Sequence, residues 1–216
     1  LSERGADVTI LTPCVGKLTP RHESAGAVAI HRLRQPHLPN LGGRHMLSFL
    51  IWTLRSAAWI ARRGRNYDVV HIVHGRLHAV GPLLGAMLAR KPTLIKVGRG
   101  GAHFDLAVVR KKKLIGPLCA RLVKGLATGF VANSQEIAED LESSGVPPAR
   151  VHRIPNGVVM PQGETATSLN EAVRRFVYLG RLDSEKALDF MIDGFAELPD
   201  EPPARLVLVG EGGTEP

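Results

Sequence analysis

The chain has 216 residues, 44% of them hydrophobic and 22% charged, which is typical of a globular protein and excludes a disordered or fibrous one. Lysine and arginine outnumber aspartate and glutamate by 28 to 20, so the formal charge is +8. Many basic domains bind no particular anion, but this excess favours a nucleic acid, an acidic membrane surface or a phosphorylated small molecule. Nucleic acid is the least favoured, because aromatic residues, which stack on bases, make up only 5%.

The cysteines and the hydropathy of the chain indicate in which cellular compartment the protein is expected. Cys14 and Cys119 have no metal-ligand spacing, and one pair makes no disulfide framework, so a reducing cytoplasm is expected. The most apolar stretch, residues 46–61, is too short to span a membrane and contains Arg55. There is no signal-peptide or lipidation pattern, but the chain does not begin with Met and both ends look cut. We therefore expect a fragment of a longer enzyme, inactive by itself.

Short apolar runs and helical patterns alternate along the first 158 residues. Runs rich in β-branched residues predict strands at 7–12, 28–33, 68–73, 93–97, 129–133 and 151–158. Apolar residues at helical spacing predict helices at 45–63, 77–90, 117–127 and 133–144. Ser134 is the predicted N-cap of the last helix, and a turn region is expected between the first two strands. The later strands lack polar alternation, which is typical of a parallel sheet covered on both faces.

The remainder of the chain predicts a second α/β unit. Residues 159–170 are polar and rich in turn residues, which indicates a linker. The elements that follow are a strand at 175–179, a helix at 185–198 and a strand at 205–210. We predict an α/β fold of two Rossmann-like domains, the first nearly complete and the second represented by its first strand–helix–strand. The predicted boundaries are 1–160 for the first domain, 161–173 for the linker and 174–216 for the second domain.

Basic residues follow the strand at 175–179. Gly180 ends this strand, and Arg181 and Lys186 flank the predicted start of the next helix. Open parallel sheets bind ligands beyond the carboxyl ends of their strands, where a glycine lets backbone N–H groups approach an anion. A cation at a helix N-terminus opposes the helix dipole unless an anion is also present. That anion is either a bound diphosphate or the side chains of Asp183 and Glu185, and both alternatives stay open.

Three histidines are candidates for a polar role. His71 lies inside the strand at 68–73, and we expect it to pack in the core. His74 ends that strand and either faces a ligand or bonds within its loop, while His103 either lines an acceptor pocket or is exposed to solvent. No cluster of histidine, cysteine and carboxylate residues has metal-ligand spacing, so no bound metal is expected.

A run of four basic residues, Arg110, Lys111, Lys112 and Lys113, precedes an apolar helical stretch. A run of charge is usually a solvated surface. The alternative is a patch for anionic lipid headgroups, because polybasic clusters beside apolar helices bind such surfaces.

Three stretches, in order, resemble the retaining glycosyltransferases of the GT-B fold, specifically glycosyltransferase family 4. They are VANSQEIAEDLESSGVPPARVHRIPNGV at 131–158, FVYLGRLDSEKALDFMIDGFAEL at 176–198 and RLVLVGEG at 205–212. DVVHIVHG at 68–75 and LSERGADVTILTP at 1–13 agree with strands of the family's first domain. The resemblance spans nearly the whole chain and implies an α/β fold of the GT-B type.

The resemblance also implies roles for individual residues. Arg181 and Lys186 match the family's basic pair that grips the donor diphosphate, and Gly180 matches the glycine that ends the preceding strand. The residues implied on the nucleoside side of the donor are Gly210, Glu211 and Gly212. The residues implied to face the interdomain cleft are Gly100, Gly101, Asn133 and Ser134.

The chain departs from the family pattern in three places. The Gly-rich loop after the family's first strand is absent, and the glutamate pair that holds the donor sugar would lie beyond residue 216. After the strand at 93–97, where many relatives have a histidine, this chain has Gly98-Arg99-Gly100-Gly101. No catalytic residue is therefore assigned, and His103 and His74 are kept as candidates.

The function implied by the resemblance is transfer of a hexose from a nucleoside-diphosphate sugar to a hydroxyl acceptor with retention, without a metal or cofactor. A lipid-linked or polysaccharide acceptor is expected, and a cytoplasmic location, peripheral at the inner face of the membrane. The alternative is a non-catalytic α/β module that binds a phosphorylated sugar or nucleotide. A nicotinamide-binding domain is disfavoured, because neither GRGG nor GEGG has the G-x-G-x-x-G spacing.

Overall fold

The computed structural model describes residues 2–14, 19–35, 44–113, 115–158 and 174–212. The chain divides into two units, residues 1–157 and 158–216, and the predicted linker at 161–173 lies outside the described residues. The strands of the first unit are β1 (Thr9–Cys14), β2 (His22–Ala25), β3 (Val28–Arg34), β4 (Val70–Val73), β5 (Thr93–Lys96), β6 (Gly129–Ala132) and β7 (Val151–Arg153). Its helices are α1 (Arg44–Arg62), α2 (Val80–Leu88), α3 (Asp105–Arg110), α4 (Gly116–Leu126) and α5 (Gln135–Ser143).

The larger sheet of the first unit has the strand order β4-β5-β6-β7, with all neighbours parallel. Parallel neighbours need a crossover connection, and helices α2 to α5 lie between the successive strands of this sheet. Ile72, Ile95, Phe130 and Val151 lie side by side in the register of the four strands. Ile95 and Phe130 are fully buried, so the core centres on the middle strands. The predicted α/β fold class is confirmed.

The burial of His71 differs from its prediction. Successive side chains of a strand point to opposite faces of the sheet, and in β4 His71 and Val73 are exposed while Ile72, on the other face, is buried. The prediction that His71 packs in the core is therefore wrong. The apolar run around it indicated a strand, but it did not reveal that the face carrying His71 is exposed.

The smaller sheet has the order β1-β3-β2 and contains a strand that the sequence does not predict. Strand β2 pairs antiparallel with β3, and Gly26, at a φ of 60°, lies in the turn between them. The stretch His22–Ala25 is exposed and has no β-branched residue, so its pattern is that of the expected turn. Hydrogen bonding to β3 makes it a strand.

Helices α1 and α2 approach closely through two glycines. A Cβ atom on Gly81 would lie 2.8 Å from the Thr53 Cα atom, and one on Gly85 would lie 2.6 Å from the Ala57 carbonyl oxygen. Trp52 of α1 donates a hydrogen bond from Nε1 to the His78 carbonyl at 2.7 Å. Helix α1 is therefore held against the connection that leads from β4 into α2.

The second unit consists of the parallel strands β8 (Arg174–Leu179) and β9 (Ala204–Val209), with helix α6 (Leu188–Ala196) between them in sequence. Helix α6 begins three residues later than predicted. Ala187 precedes it in the left-handed conformation, at a φ of 48°. Among the described residues of this unit only Leu188 is buried, and Leu179 and Phe190 are largely exposed.

Candidate functional site

The loops that follow β8 and β9 lie side by side at the carboxyl edge of the two-stranded sheet. The Gly180 N–H donates to the Val209 carbonyl at 3.0 Å, and the Leu182 N–H donates to the Glu211 carbonyl at 3.0 Å. Hydrogen bonding between the two segments therefore continues beyond the strands. It brings the predicted diphosphate loop, which begins at Gly180, together with the predicted nucleoside-side turn at 210–212.

Two glycines permit this close approach. A Cβ atom on Gly210 would overlap the Gly180 carbonyl oxygen, and one on Gly212 would overlap the Leu182 carbonyl oxygen. The obstructing atoms belong to the backbone, so no side-chain rotation could relieve the overlap. Gly210 and Gly212 are therefore required for the packing of one loop against the other, whether or not a ligand is bound.

Arg181 is exposed at this edge and carries an ion pair. Its Nη1 atom lies 2.7 Å from the Asp183 Oδ2 atom, and the two side chains are 62% and 28% exposed. This is the internal partner that the sequence left as an alternative to a bound diphosphate. The Tyr178 hydroxyl donates to the Arg181 carbonyl at 2.8 Å, which holds the backbone from which the guanidinium extends. An exposed ion pair is worth at most about 1 kcal/mol, so an anionic ligand can compete for Arg181.

Lys186 is placed differently from its prediction. It ends a 3₁₀ turn, Ser184–Lys186, and its backbone N–H donates to the Asp183 carbonyl at 2.8 Å. Ala187 then separates this turn from α6, so Lys186 lies before the helix and not in its first turn. Its side chain is exposed on the same short loop as Arg181.

The predicted glycines of the first unit lie against helix α5. The Gly101 N–H donates to Asp140 Oδ2 at 2.7 Å, and Gly101 has a φ of 58°, which favours glycine. A Cβ atom on Gly100 would lie 2.9 Å from the Ile137 Cγ1 atom. Both glycines therefore let the segment after β5 pack on α5, which follows the neighbouring strand β6.

Asn133 and Ser134 lie between β6 and α5. Asn133 is half-buried directly after the strand, and Ser134 is exposed. The Ser134 Oγ atom accepts a hydrogen bond from the Ile137 N–H at 3.3 Å, so the predicted N-cap is confirmed. Ser134 thus starts α5, the helix on which the Gly100–Gly101 segment packs.

A buried carboxylate that is not among the predicted site residues joins the loops after β4 and β5. Asp105, the first residue of α3, is fully buried. Its Oδ2 atom accepts hydrogen bonds from the N–H groups of Gly75 at 3.1 Å and Gly98 at 3.0 Å, and Oδ1 accepts from the Arg76 Nε at 2.8 Å. The signal in the sequence was an aspartate directly before the apolar residues 106–109, where an unpaired charge would be costly.

The surroundings of Asp105 keep it ionised. Burial by itself would raise the pKa of Asp105, but the hydrogen bonds from the Gly98 N–H, from Arg76 and from the Gly75 N–H outweigh it. The positive charge of Arg76 acts in the same direction, and the pKa of Asp105 lies below its ordinary value. The first unit thus holds an ionised carboxylate, paired with Arg76, at its carboxyl edge.

His74 lies directly above this carboxylate. Its Nδ1 atom is 3.6 Å from the Asp105 Oδ2 atom, and 46% of its side chain is exposed. Its φ of 68° is uncommon for a residue with a side chain, and a Cβ atom on Gly98 would overlap the His74 ring. Of the two alternatives for His74, the structure shows a ring held within its loop that is still half open to solvent.

His103 and the basic run are exposed. His103 ends the 3₁₀ turn Gly101–His103. Arg110 ends α3, and the residues that follow it in the run, Lys111, Lys112 and Lys113, are exposed in the turn before α4. Short helix α3 itself is not predicted from the sequence, since six residues give too little periodicity to recognise.

Two negative findings concern only the described parts of the chain. Within them, no group of three or more histidine, cysteine, aspartate or glutamate residues is arranged to hold a metal ion. The described helices include none that is long and apolar enough to cross a membrane. The expectation that neither metal nor cofactor is used stays a prediction.

Sequence comparison finds a family match over most of the chain. The profile of the family described as "Glycosyl transferase 4-like domain" matches residues 1–157. No curated protein sequence matches the chain significantly.

Three solved structures are similar in fold. Anabaena Alr3699/HepE in complex with UDP and glucose has 19% identity and a TM-score of 0.60, over 87% of this chain and 49% of that one. The lipopolysaccharide outer core galactosyltransferase WaaB, in its apo form, has 19% identity and a TM-score of 0.57, over 85% and 46%. Sucrose-phosphate synthase from Thermosynechococcus elongatus has 17% identity and a TM-score of 0.65, over 100% and 54%.

These similarities concern the fold, because the identities are low. The chain spans about half the length of each of the three structures, from 46% to 54%. Together with the family match, they confirm the resemblance to glycosyltransferases of the GT-B type that the sequence motifs indicated.

Proposed function

Since the chain belongs to the glycosyl transferase 4-like family, we propose that it is part of an enzyme that moves a hexose from a nucleoside-diphosphate sugar to a hydroxyl acceptor. The observation that carries the proposal is the convergence of the Gly180–Arg181 loop with the 210–212 turn at one sheet edge. The complexes of HepE with UDP and with UDP-glucose support a nucleotide-sugar donor. Retention at the anomeric carbon is part of the proposal, and it rests on the family resemblance.

The proposed donor site follows from charge and position. A diphosphate bound beyond the end of β8 would meet the guanidinium of Arg181 and the ammonium group of Lys186, both on exposed side chains. Charge-assisted hydrogen bonds from such groups are about twice as strong as neutral ones. The turn at 210–212, which is hydrogen-bonded to the same loop, would then lie beside the nucleoside.

The proposed contribution to the reaction is electrostatic. When the bond between the sugar and the diphosphate breaks, negative charge develops on the departing diphosphate. Arg181 and Lys186 are proposed to stabilise that charge more strongly in the transition state than in the bound donor. Removal of one such group costs about 10²- to 10³-fold in turnover in comparable sites.

Substitution of the basic pair tests this role. In the full-length protein, Arg181→Ala and Lys186→Ala should each lower kcat about 10²- to 10³-fold. Arg205→Ala is the matched control, because Arg205 is an exposed arginine near the opposite end of β9. It should leave turnover within a few-fold of the wild type. If Lys186→Ala also stayed within a few-fold, the proposed diphosphate role would be wrong.

Calorimetric titration tests the donor site directly. The full-length protein is titrated with UDP, GDP and ADP, and one of them should bind measurably while Arg181→Ala weakens that binding. The preferred nucleotide identifies the base, and the anomeric proton signal of the product in NMR reports retention or inversion. A failure of all three nucleotides to bind would overturn the donor assignment.

The alternative function is a module that binds a phosphorylated sugar or nucleotide without transferring it. The ion pair between Arg181 and Asp183 favours this alternative, because it gives Arg181 a structural role that requires no catalysis. Nucleotide binding without any sugar product, over a panel of sugar nucleotides and hydroxyl acceptors, would favour this alternative.

Contact with an anionic membrane surface is a second part of the proposal. The run Arg110–Lys113 is exposed at the end of α3 and in the turn before α4, and about 1 kcal/mol per basic residue is available near an anionic surface. This fits an acceptor that is lipid-linked or a polysaccharide, with the protein at the cytoplasmic face of the membrane. Replacement of all four residues by alanine should abolish co-sedimentation with phosphatidylglycerol vesicles. Unchanged co-sedimentation would overturn the proposed contact.

A further inference from the structure

We propose that the His74 imidazole accepts a hydrogen bond from a substrate hydroxyl, and that Asp105 and Gly98 are the positioning residues that hold the ring for this purpose. This inference rests on the proposed sugar transfer, since it assigns a further contact to the same reaction. The hydroxyl belongs either to the transferred sugar or to the acceptor.

The backbone of His74 is held in an uncommon conformation by its neighbours. His74 directly follows β4 with a φ of 68°, a region that residues with side chains rarely adopt. Its N–H donates to the Lys96 carbonyl of β5 at 2.8 Å, and the next N–H, of Gly75, donates to Asp105. Such conformations persist only where the surroundings determine them, and they concentrate at functional sites.

The imidazole ring is held from two sides. Because a Cβ atom on Gly98 would overlap the Nδ1 and Cε1 atoms of His74, the ring occupies the space that a side chain at residue 98 would need. The Asp105 Oδ2 atom lies 3.6 Å from Nδ1, and three hydrogen bonds fix that carboxylate. Negative charge beside Nδ1 favours the tautomer that carries its proton there, so Nε2 becomes the hydrogen-bond acceptor.

The position of the ring suits a ligand contact. His74 is 46% exposed at the carboxyl edge of a parallel sheet, where open α/β sheets bind their ligands. The exposed His103 provides a contrast, since it ends a 3₁₀ turn and has no described side-chain contact to orient its ring. An oriented and partly exposed imidazole whose Nε2 atom is an acceptor is suited to a hydroxyl donor.

A double-mutant cycle tests the ring and its glycine. His74→Ala removes the acceptor, and Gly98→Ala places a methyl group in the space of the ring. Each should lower kcat by about 10- to 100-fold, because misplacement by about 1 Å can cost 10²-fold. The double variant should lose no more than His74→Ala alone, since no ring is left to displace. A His74→Ala enzyme within two-fold of the wild type, or single losses that multiply in the double variant, would overturn the inference.

The control variant is Gly125→Ala in α4, where a Cβ atom would meet nothing within 4 Å. It should keep wild-type kcat and the wild-type urea midpoint. The midpoints of the Gly98 and His74 variants show whether a loss of activity comes with a loss of fold. If all three variants of the cycle lost activity only in proportion to a fall in their urea midpoints, the inference would also be overturned.

Nitrogen NMR of the wild-type protein tests the role of Asp105 without a substitution. The chemical shifts of the His74 ring nitrogens should show the proton on Nδ1 at a pH where the imidazole is neutral. A proton on Nε2 would overturn the positioning role of Asp105. This measurement needs no enzymatic turnover, so it remains readable if the proposed function fails.

The rate of donor hydrolysis without acceptor distinguishes the two possible sources of the hydroxyl, the transferred sugar and the acceptor. If the hydroxyl belongs to the transferred sugar, His74→Ala should slow donor hydrolysis in the absence of acceptor as much as it slows transfer. If it belongs to the acceptor, hydrolysis should be unchanged, while the acceptor KM rises and transfer slows. If the wild-type protein transfers sugar and His74→Ala and Gly98→Ala do so at the wild-type rate, this inference alone is overturned. A wild-type protein that binds no nucleotide overturns the proposed function.

Discussion

The two carboxyl edges of this chain are held by different interactions. At the edge of the β4–β7 sheet, the fully buried Asp105 joins two loops and a helix through three hydrogen bonds. At the edge of the β8–β9 sheet, backbone hydrogen bonds and closely packed glycines hold the loops, and the Arg181–Asp183 pair is exposed. A buried carboxylate with fixed partners is suited to orienting a neighbour such as His74. An exposed pair can exchange one partner for an anionic ligand.

The largest expected effect comes from neutralising the two aspartates. Asp105→Asn leaves buried donors without an ionised acceptor and should lower the free energy of unfolding by about 3–5 kcal/mol. Asp183→Asn, at the exposed pair, should lower it by no more than about 1 kcal/mol. Urea unfolding of both variants measures the difference. Similar losses in the two variants would contradict the contrast between the edges.

Acidification should weaken the first edge selectively. The folded pKa of Asp105 lies below the unfolded value of 3.8. The stability that its ionised form provides is therefore present above pH 3.8 and is lost as the pH falls through the folded pKa. The free energy of unfolding should fall more steeply below pH 3.8 in the wild type than in Asp105→Asn. Urea midpoints over a series of acidic buffers measure this, and parallel profiles would show that Asp105 does not contribute.

Substitution of the glycines at the edge of the β8–β9 sheet should change stability by an intermediate amount. Gly210→Ala forces a methyl group against the Gly180 carbonyl and should destabilise the unit by about 1–3 kcal/mol, with loss of nucleotide binding. The matched control is Gly194→Ala in α6, where a Cβ atom meets nothing within 4 Å. It should raise stability by up to about 1 kcal/mol. Urea unfolding and calorimetry measure both quantities, and a neutral Gly210→Ala would refute the close packing of the loops.

The smallest effects are expected at the starts of the helices. Ser134 caps α5 at the first edge, whereas Ala187 begins α6 at the second in a left-handed conformation without a side-chain cap. Ser134→Ala should therefore destabilise by about 1 kcal/mol. Ala187→Gly should stabilise by about 0.5–1 kcal/mol, because glycine adopts positive φ without steric cost. Thermal unfolding measures both, and the same sign in the two variants would contradict this difference.

Three elements differ from their predictions for separate physical reasons. Strand β2 has the pattern of a turn and becomes a strand only by pairing with β3, and six-residue α3 is too short for a recognisable period. Helix α6 begins three residues after its predicted start because Ala187 adopts a left-handed conformation, which the local sequence pattern does not predict. Strand pairing, a short helix and a left-handed residue are each missed by a prediction that relies on hydrophobic periodicity.

The candidate site divides in the same way. Gly180 and Arg181 could be singled out because glycine and charge directly after an apolar strand are visible locally, and the 210–212 turn was implied by the family resemblance. Asp105 could not, because a lone aspartate before an apolar stretch gives no indication of its partners, which lie 7 to 30 residues away. His71 was misjudged because an apolar run does not show which face of a strand is covered.

The sequence alone determined the α/β class, the family and most of the strands and helices, and it singled out the basic residues that follow β8. The class and the elements depend on periodicity and composition, which act over a few residues, and the family was indicated by the resemblance of three ordered motifs. Only the tertiary structure decided that Gly210 and Gly212 pack against the Gly180–Leu182 segment and that Asp105 supports His74. Such contacts join loops that are brought together by parallel strand pairing, and strand register is a property of the folded chain as a whole.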